Sequence, residues 1–194
     1  MQDEDFLLLK NLFFNLRMSD NEEARFKSLW CTKSFKQYDL ITEAGSIERN
    51  FYLVLDGVQA IYVLNEKGEK VVLGFSYTGS PSGVFDSFVS GEPSKIFLEA
   101  LKPSRLLAIS KSDYLGLFKN DSSFYQWGHH FFQEVLFGRL SREVELLTLT
   151  AEQRYISFMQ RCPDELKVIP QKYLASYLNM KPETFSRLRA STVY

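Results

Sequence analysis

The sequence predicts an α+β fold. A turn-rich β jelly roll or barrel occupies the middle of the chain, one long helix follows it, and the C-terminal part is helical. Seven of the ten glycines lie between Gly45 and Gly91, and none follows Gly138. Glycine punctuates turns and is disfavoured inside helices. Between residues 35 and 109, short runs rich in β-branched and aromatic side chains alternate with turn signals. After Lys111 the apolar residues recur at helical spacing.

The elements follow in order. Phe6, Leu7, Leu9, Leu12, Phe13 and Leu16 share a helical period. Ser19-Asp20-Asn21-Glu22 is a capping box that opens a second helix, expected to run through Trp30. Strands are expected over 35–41, 51–55, 60–64, 70–75, 96–101 and 106–109. Asp56-Gly57 and Asn65-Glu66-Lys67-Gly68 mark turns between them. Regular short strands with frequent turns suggest a jelly roll or barrel.

The 194 residues allow one large or two small domains and bury a core without disulfides. A hydrophobic fraction of 45% and a charged fraction of 24% exclude wholesale disorder. Residues 1–5 are acidic, so no signal peptide is expected. No apolar run reaches the ~18 residues of a membrane span, because Asp56 and Gln59 interrupt the stretch 51–64. Cys31 and Cys162 form no CxxC and no metal-ligand spacing. Two reduced thiols and a cytoplasmic location are expected. No paired carboxylates, P-loop or G-x-S-x-G motif point to an enzyme.

Residues 122–149 hold no proline. Phe132, Leu136, Leu140, Val144 and Leu147 form one stripe, widened by Phe124, Trp127, Phe131 and Val135. Such a helix is either buried in a core or forms the seam of a dimer. Thr150-Ala151-Glu152-Gln153 is a second capping box, and its helix ends near Arg161, before Pro163. The chain therefore divides into 1–121, 122–149 and 150–194. From Gln153 onward, seven Lys/Arg stand against three acids, a charge of +4. The preceding 152 residues hold sixteen Lys/Arg and twenty-one acids, a charge of −5. A basic helical tail on an acidic body is an asymmetry that nucleic-acid-binding modules show.

The tail carries a helical hairpin. Pro170 suits the first turn of a helix. Leu174, Ala175 and Leu178 make a short apolar face, and Asn179 tolerates the left-handed conformation that ends it. Pro182 starts a second helix, with Glu183 near its positive end. Phe185 and Leu188 turn back to the first helix, and the small Ala175 permits a close crossing. The pattern is a helix-turn-helix, whose second helix enters the DNA major groove. Candidate base readers are Glu183, Thr184, Ser186 and Arg187; Gln171, Lys172, Lys181 and Arg189 are candidate DNA contacts beside them. Leu166-Lys167-Val168 is expected as a strand before the hairpin, and no wing is expected after it.

These residues and motifs resemble the Crp/Fnr-type transcription regulators, the cyclic-AMP-receptor-like group, along nearly the whole chain. Phe51–Val58 with Asp56-Gly57 is similar to the family's strand-Gly-strand motif, and Glu43-Ala44-Gly45 to the glycine before it. Gly83-Val84-Phe85-Asp86-Ser87-Phe88 sits where the phosphate-binding cassette belongs. The resemblance implies a cyclic-nucleotide-binding-type jelly roll, a long dimerisation helix and a winged-helix-like DNA-binding hairpin. It implies a homodimer on a palindromic double-stranded operator, with RNA polymerase a further candidate partner.

It also implies an effector pocket at Gly83, Val84, Phe85, Ser94, Lys95, Arg139 and Leu140, with Phe88 and Phe97 nearby. Members that bind cyclic AMP carry Gly-Glu in the cassette and an Arg-Ser pair about ten residues on. Here Val84 replaces the Glu, and Ser94 and Lys95 stand at the pair. If the two lie on a strand, Lys95 points to the opposite face from Ser94; Pro93 can bend that path. Arg139 and Leu140 replace a Thr-Ser pair that meets the adenine. Cyclic AMP is therefore not expected, and any other effector is unknown. Two isolated cysteines supply no iron–sulfur cluster, and the adjacent His129 and His130 face different ways, so no joint haem site is expected. The readings left open are a DNA-binding regulator with an altered sensor pocket, and an effector-binding or protein-interaction module with a vestigial hairpin.

Overall fold

The computed structural model describes residues 2–13, 18–120 and 122–191; Leu16 of the first helical pattern lies outside them. Helices α1 (Asp3–Leu12) and α2 (Asp20–Ser28) both open with capping boxes, and the Ser19 N–H donates to the Glu22 carboxylate at 2.8 Å. The second helix stops two residues before the expected end. Trp30 instead opens β1 (Trp30–Phe35) and pairs with Ile109, burying its ring among Phe13, Phe26 and Phe51.

The strands β2 (Leu40–Thr42), β3 (Asn50–Asp56), β4 (Val58–Leu64), β5 (Lys70–Tyr77), β6 (Pro81–Ser82), β7 (Phe97–Ala100) and β8 (Ser104–Ser110) complete a jelly roll. Two four-stranded antiparallel sheets run β1-β8-β3-β6 and β2-β7-β4-β5. The single strand expected over 35–41 is broken. Lys36 N–H donates to Asp39 Oδ2 at 2.7 Å and Tyr38 takes a φ of 69°, so the chain turns from one sheet into the other. The Asp56-Gly57 turn lies where expected. Gly57 has a φ of 102°, and a Cβ there would lie 2.2 Å from Ser104 Oγ, so only glycine fits.

Alternation along the strands sorts the core, because successive strand side chains point to opposite faces. Tyr52, Val54, Leu106 and Ala108 pack together on one face of the first sheet. Phe51, Leu53, Leu55, Leu107 and Ile109 pack on its other face, under α1, α2, the helix α4 (Lys111–Asn120) and the start of α5 (Ser122–Thr148). Val58, Ala60, Tyr62 and Val72 of the second sheet pack under the C-terminal helices. A short helix α3 (Phe85–Ser90), bracketed by Gly83 and Gly91, connects β6 to β7.

The long helix α5 is anchored at its start. Phe124 and Trp127 are buried, and Trp127 Nε1 donates to Leu12 O at 2.7 Å. Gly128 lets Phe118 of α4 approach, since a Cβ there would lie 2.5 Å from its ring. Beyond this start, Leu136, Leu140, Val144 and Leu147 are exposed. Thr150 then caps α6 (Ala151–Arg161), accepting from Gln153 N at 3.3 Å. The expected strand at Leu166-Lys167-Val168 is instead the end of a helical turn, α7 (Asp164–Lys167). Pro163 precedes it and Asp164 and Glu165 fill its first turn, a helix start by charge and by backbone. The hairpin is α8 (Gln171–Tyr177) and α9 (Pro182–Ser191).

Candidate functional site

The turn between α8 and α9 forms as its residues demand. Asn179 takes the left-handed conformation, φ 51°, and the Met180 N–H closes on Ala175 O at 3.0 Å. Ala175 is fully buried at the crossing, and Phe185 sits edge-on to Tyr155 at 5.4 Å. Leu188 packs against the same cluster. With Phe185 inward, α9 leaves Glu183, Ser186, Arg187 and Arg189 exposed and Thr184 half-buried. Lys172 and Lys181 are exposed on the neighbouring backbone. The Gln171 carboxamide, oriented with its oxygen toward Arg189, accepts from both guanidinium nitrogens at 2.7 and 3.0 Å. All eight residues lie on α8, α9 or the turn between them, with Arg189 already partly held by Gln171.

Three groups that the sequence did not single out fix this hairpin to the jelly roll and to α5. Ser176 Oγ accepts from Val72 N at 3.0 Å and donates to Lys70 O at 2.9 Å. It thereby satisfies backbone groups on β5, which ends its sheet and would otherwise present an open edge. Arg142 of α5 donates to Tyr177 O at 2.8 Å and Val72 O at 3.2 Å, with its guanidinium over the Tyr177 ring. Burial pushes the pKa of this guanidinium down. Arg154 of α6 donates to Leu149 O, Leu178 O and Asn179 O, holding the hairpin turn against the end of α5. Lys70 and the buried Glu99 add an ion pair at 2.5 Å, beside Tyr173 of α8. Burial opposes the charge on Lys70, yet the Glu99 carboxylate holds its pKa up to about 12.

The residues implied for an effector pocket are not all brought together. Val84 is buried with Ile61 and Leu98, and Ile41, Leu73 and Ile96 pack around them. These side chains are apolar, and the Arg139 guanidinium reaches the backbone of Leu73 at their edge. Phe85 and Phe88 turn the other way, into the aromatic cluster around Phe51. Phe97 stacks on Tyr62 at 5.1 Å, also outside it. Gly83 takes a φ of 144° and lets the chain enter α3. Ser94 and Lys95 lie in the loop before β7 rather than on a strand, so the alternation argument does not apply to them. Ser94 is buried, donates to Asp86 Oδ2 at 2.7 Å and accepts from Ile96 N at 3.1 Å. Lys95 is exposed. Arg139 donates to Leu73 O at 2.7 Å, whereas Leu140, one residue on, is exposed.

The geometry defines a class: a jelly roll joined by one long helix to a helix-turn-helix. Residues 32–121 match the family model of the cyclic nucleotide-binding domain. Solved structures extend the likeness over most of the chain. FixK2 from Bradyrhizobium japonicum is 17% identical over 83% of each chain, with a TM-score of 0.74. A protein of Eubacterium rectale, described as a regulator of the Crp/Fnr family, is 16% identical over 91% of this chain and 85% of its own, with a TM-score of 0.70. The Catabolite Activator Protein of Thermus thermophilus is 19% identical over 93% and 85%, with a TM-score of 0.59. Residues 32–121 thus match the cyclic nucleotide-binding domain model, and the chain shares the fold of these three structures over most of its length. Comparison with curated proteins gives no match. Among the described residues, no helix is long and apolar enough to cross a membrane.

Proposed function

We propose that this protein is a cytoplasmic Crp/Fnr transcription regulator that binds double-stranded DNA as a homodimer, with α9 in the major groove. The supporting observation is the outward face of α9. It presents Arg187 with Glu183 and Ser186 to either side, while Arg189 turns toward Gln171 and Phe185 and Ala175 lock the two hairpin helices together. Arg187 is the main base reader, because a guanidinium fork matches the two acceptors of guanine. Glu183, Thr184 and Ser186 flank it, and Gln171, Lys172, Lys181 and Arg189 hold phosphates. The exposed stripe of α5 pairs two copies about a twofold axis, so the operator is a palindrome. RNA polymerase is the candidate protein partner at such a site.

Selection of bound duplexes from a random pool supplies the operator, and Arg187→Ala then tests the assignment. The variant should lose about 1–3 kcal/mol and relax preference at one base in each half-site. Lys172→Ala should weaken every sequence alike. If Arg187→Ala keeps both affinity and base preference, α9 does not read DNA through Arg187. If the pool yields no enriched sequence, the hairpin is vestigial.

The sensor domain is proposed not to take cyclic AMP in the family's manner. A cyclic phosphate buried without a cation is costly. The cassette position carries Val84, closed among Ile61 and Leu98, and the nearby Ser94 hydroxyl is already committed to the Asp86 carboxylate. Calorimetric titration with cyclic AMP and cyclic GMP should give no saturable binding tighter than about 10 μM. Binding that is tighter, and abolished by Lys95→Ala, makes Lys95 the phosphate ligand and overturns the proposal.

A further inference from the structure

A groove of about 520 Å³ opens on the outside of the jelly roll, bounded by α3, α4 and α5. Its size falls within the range of small-molecule sites, roughly 300–1,000 Å³. Gly128 creates its floor by admitting the Phe118 ring against α5. Leu115, Tyr125, Phe132 and Leu136 line it and are all exposed. Contiguous exposed apolar surface of this kind marks an interaction site.

One cation stands at the groove. Lys111, the first residue of α4, donates to Val89 O at 3.1 Å, with its ammonium 6.0 Å from the Phe88 ring centre. An ammonium has three N–H donors, so this single bond leaves two for a ligand. Among the described residues Lys111 forms no ion pair. Val89 and Lys111 both line the groove, so the ammonium held on Val89 O stands at its edge; Leu115, Tyr125 and Phe132 make most of the wall apolar, and His129 and Gln133 add polar groups to it.

We propose that this groove binds an amphipathic monocarboxylate, with its hydrocarbon tail along α4 and α5 and its carboxylate on Lys111. Charge complementarity selects an acid over an alcohol or an amine. The apolar walls select a tail over a sugar or a nucleotide. The site is separate from the cluster around Val84 and does not depend on how the protein meets DNA. Phe132 belongs both to the groove and to the apolar stripe of α5. A ligand here therefore lies at one end of the proposed dimer seam.

The test is calorimetric titration of the full chain with octanoate, decanoate and decanol, each below its micelle concentration. Decanoate should bind saturably, one molecule per chain. It should bind about tenfold more tightly than octanoate, since each buried CH₂ adds ~0.8 kcal/mol. Decanol should bind about tenfold more weakly than decanoate. Lys111→Met should bring decanoate down to the level of decanol. Leu115→Asp, at an exposed position that leaves the fold intact, should weaken decanoate at least tenfold. The proposal fails if decanoate does not saturate, if decanol matches it, or if neither substitution changes its affinity. It also fails if decanoate binding disappears as chain concentration rises, because a second copy then covers the groove.

Discussion

Replacing Leu140 with glutamate is expected to turn the proposed homodimer into single chains. Leu140 lies in the middle of the apolar stripe and is 47% exposed in the single chain. Substituting it removes nothing from the core of one copy, so its own stability should change by no more than ~0.5 kcal/mol. About a twofold axis the same substitution occurs twice, on facing helices. Pairing can bury only the exposed half of each leucine, about 0.7–1.5 kcal/mol apiece. Their loss alone weakens the dimer by about one to two orders of magnitude. Two facing carboxylates add repulsion to that loss. Light scattering should give the mass of one chain, with the thermal midpoint unchanged. Affinity for a palindromic operator should fall with the dimer, while a single half-site is bound as before. A variant that still scatters as a dimer shows that Leu140 is not in the seam, and pairing must then be sought on another face.

The same stripe shows why part of this fold was legible in the sequence and part was not. Phe132, Leu136, Leu140, Val144 and Leu147 recur at helical spacing, so the helix was legible. Whether it was buried was not, because a core helix and a seam share the same period. The structure buries Phe124 and Trp127, so the core reading holds for the start of α5, and it leaves the stripe from Phe132 to Leu147 exposed on the single chain. Central strands were legible because β3 and β4 are rich in β-branched and aromatic residues. The edge strand β1 was not. Cys31, Thr32, Lys33 and Ser34 are mostly exposed, so no apolar alternation marks them. Trp30 was read as the end of a helix because tertiary pairing with Ile109, not local preference, makes it a strand residue. Leu166-Lys167-Val168 was read as a strand before the hairpin, although Pro163-Asp164-Glu165 just before it announces a helix.

The candidate sites divide by the same rule. The hairpin is local: Pro170, Ala175, Asn179, Pro182 and Phe185 lie within sixteen residues and each has a conformational job that its chemistry states. Contacts between distant segments have no such signature. Ser176 meets Lys70 and Val72 across more than a hundred residues, and nothing in Ala175-Ser176-Tyr177 marks that serine from any other. Arg142 reads as an ordinary charge on a helix surface, yet it joins α5, β5 and α8. The cassette was assigned to Gly83–Phe88 by resemblance, and how its aromatic residues face depends on packing. Phe85 and Phe88 face the cluster around Phe51, and only Val84 remains in the inner apolar group.

Phe185→Ala is expected to have the largest effect on stability. Phe185 is 1% exposed and packs edge-on against Tyr155. Its cluster runs without a break from α6, α8 and α9 onto Val58, Ala60, Tyr62 and Val72 of the second sheet. A buried Phe→Ala change costs about 3–5 kcal/mol in lost transfer and residual cavity. For a chain of this size that corresponds to a fall of roughly 6–20 °C in thermal midpoint. The continuity of the cluster decides how the loss is distributed. If the hairpin were an independent unit, Phe185→Ala would melt it alone and leave the jelly roll unchanged. Ser176 on β5, Arg142 on Tyr177 and Lys70 beside Tyr173 tie the two together, so loosening α9 also uncovers the outer face of the sheet. Hydrogen exchange should therefore show faster exchange at β5 as well as at α8 and α9. The amides of β3 and β8, packed under the N-terminal helices, should be less affected. Exchange confined to α8 and α9, with the rest of the chain at wild-type protection, would mean that the hairpin and the jelly roll are energetically separate.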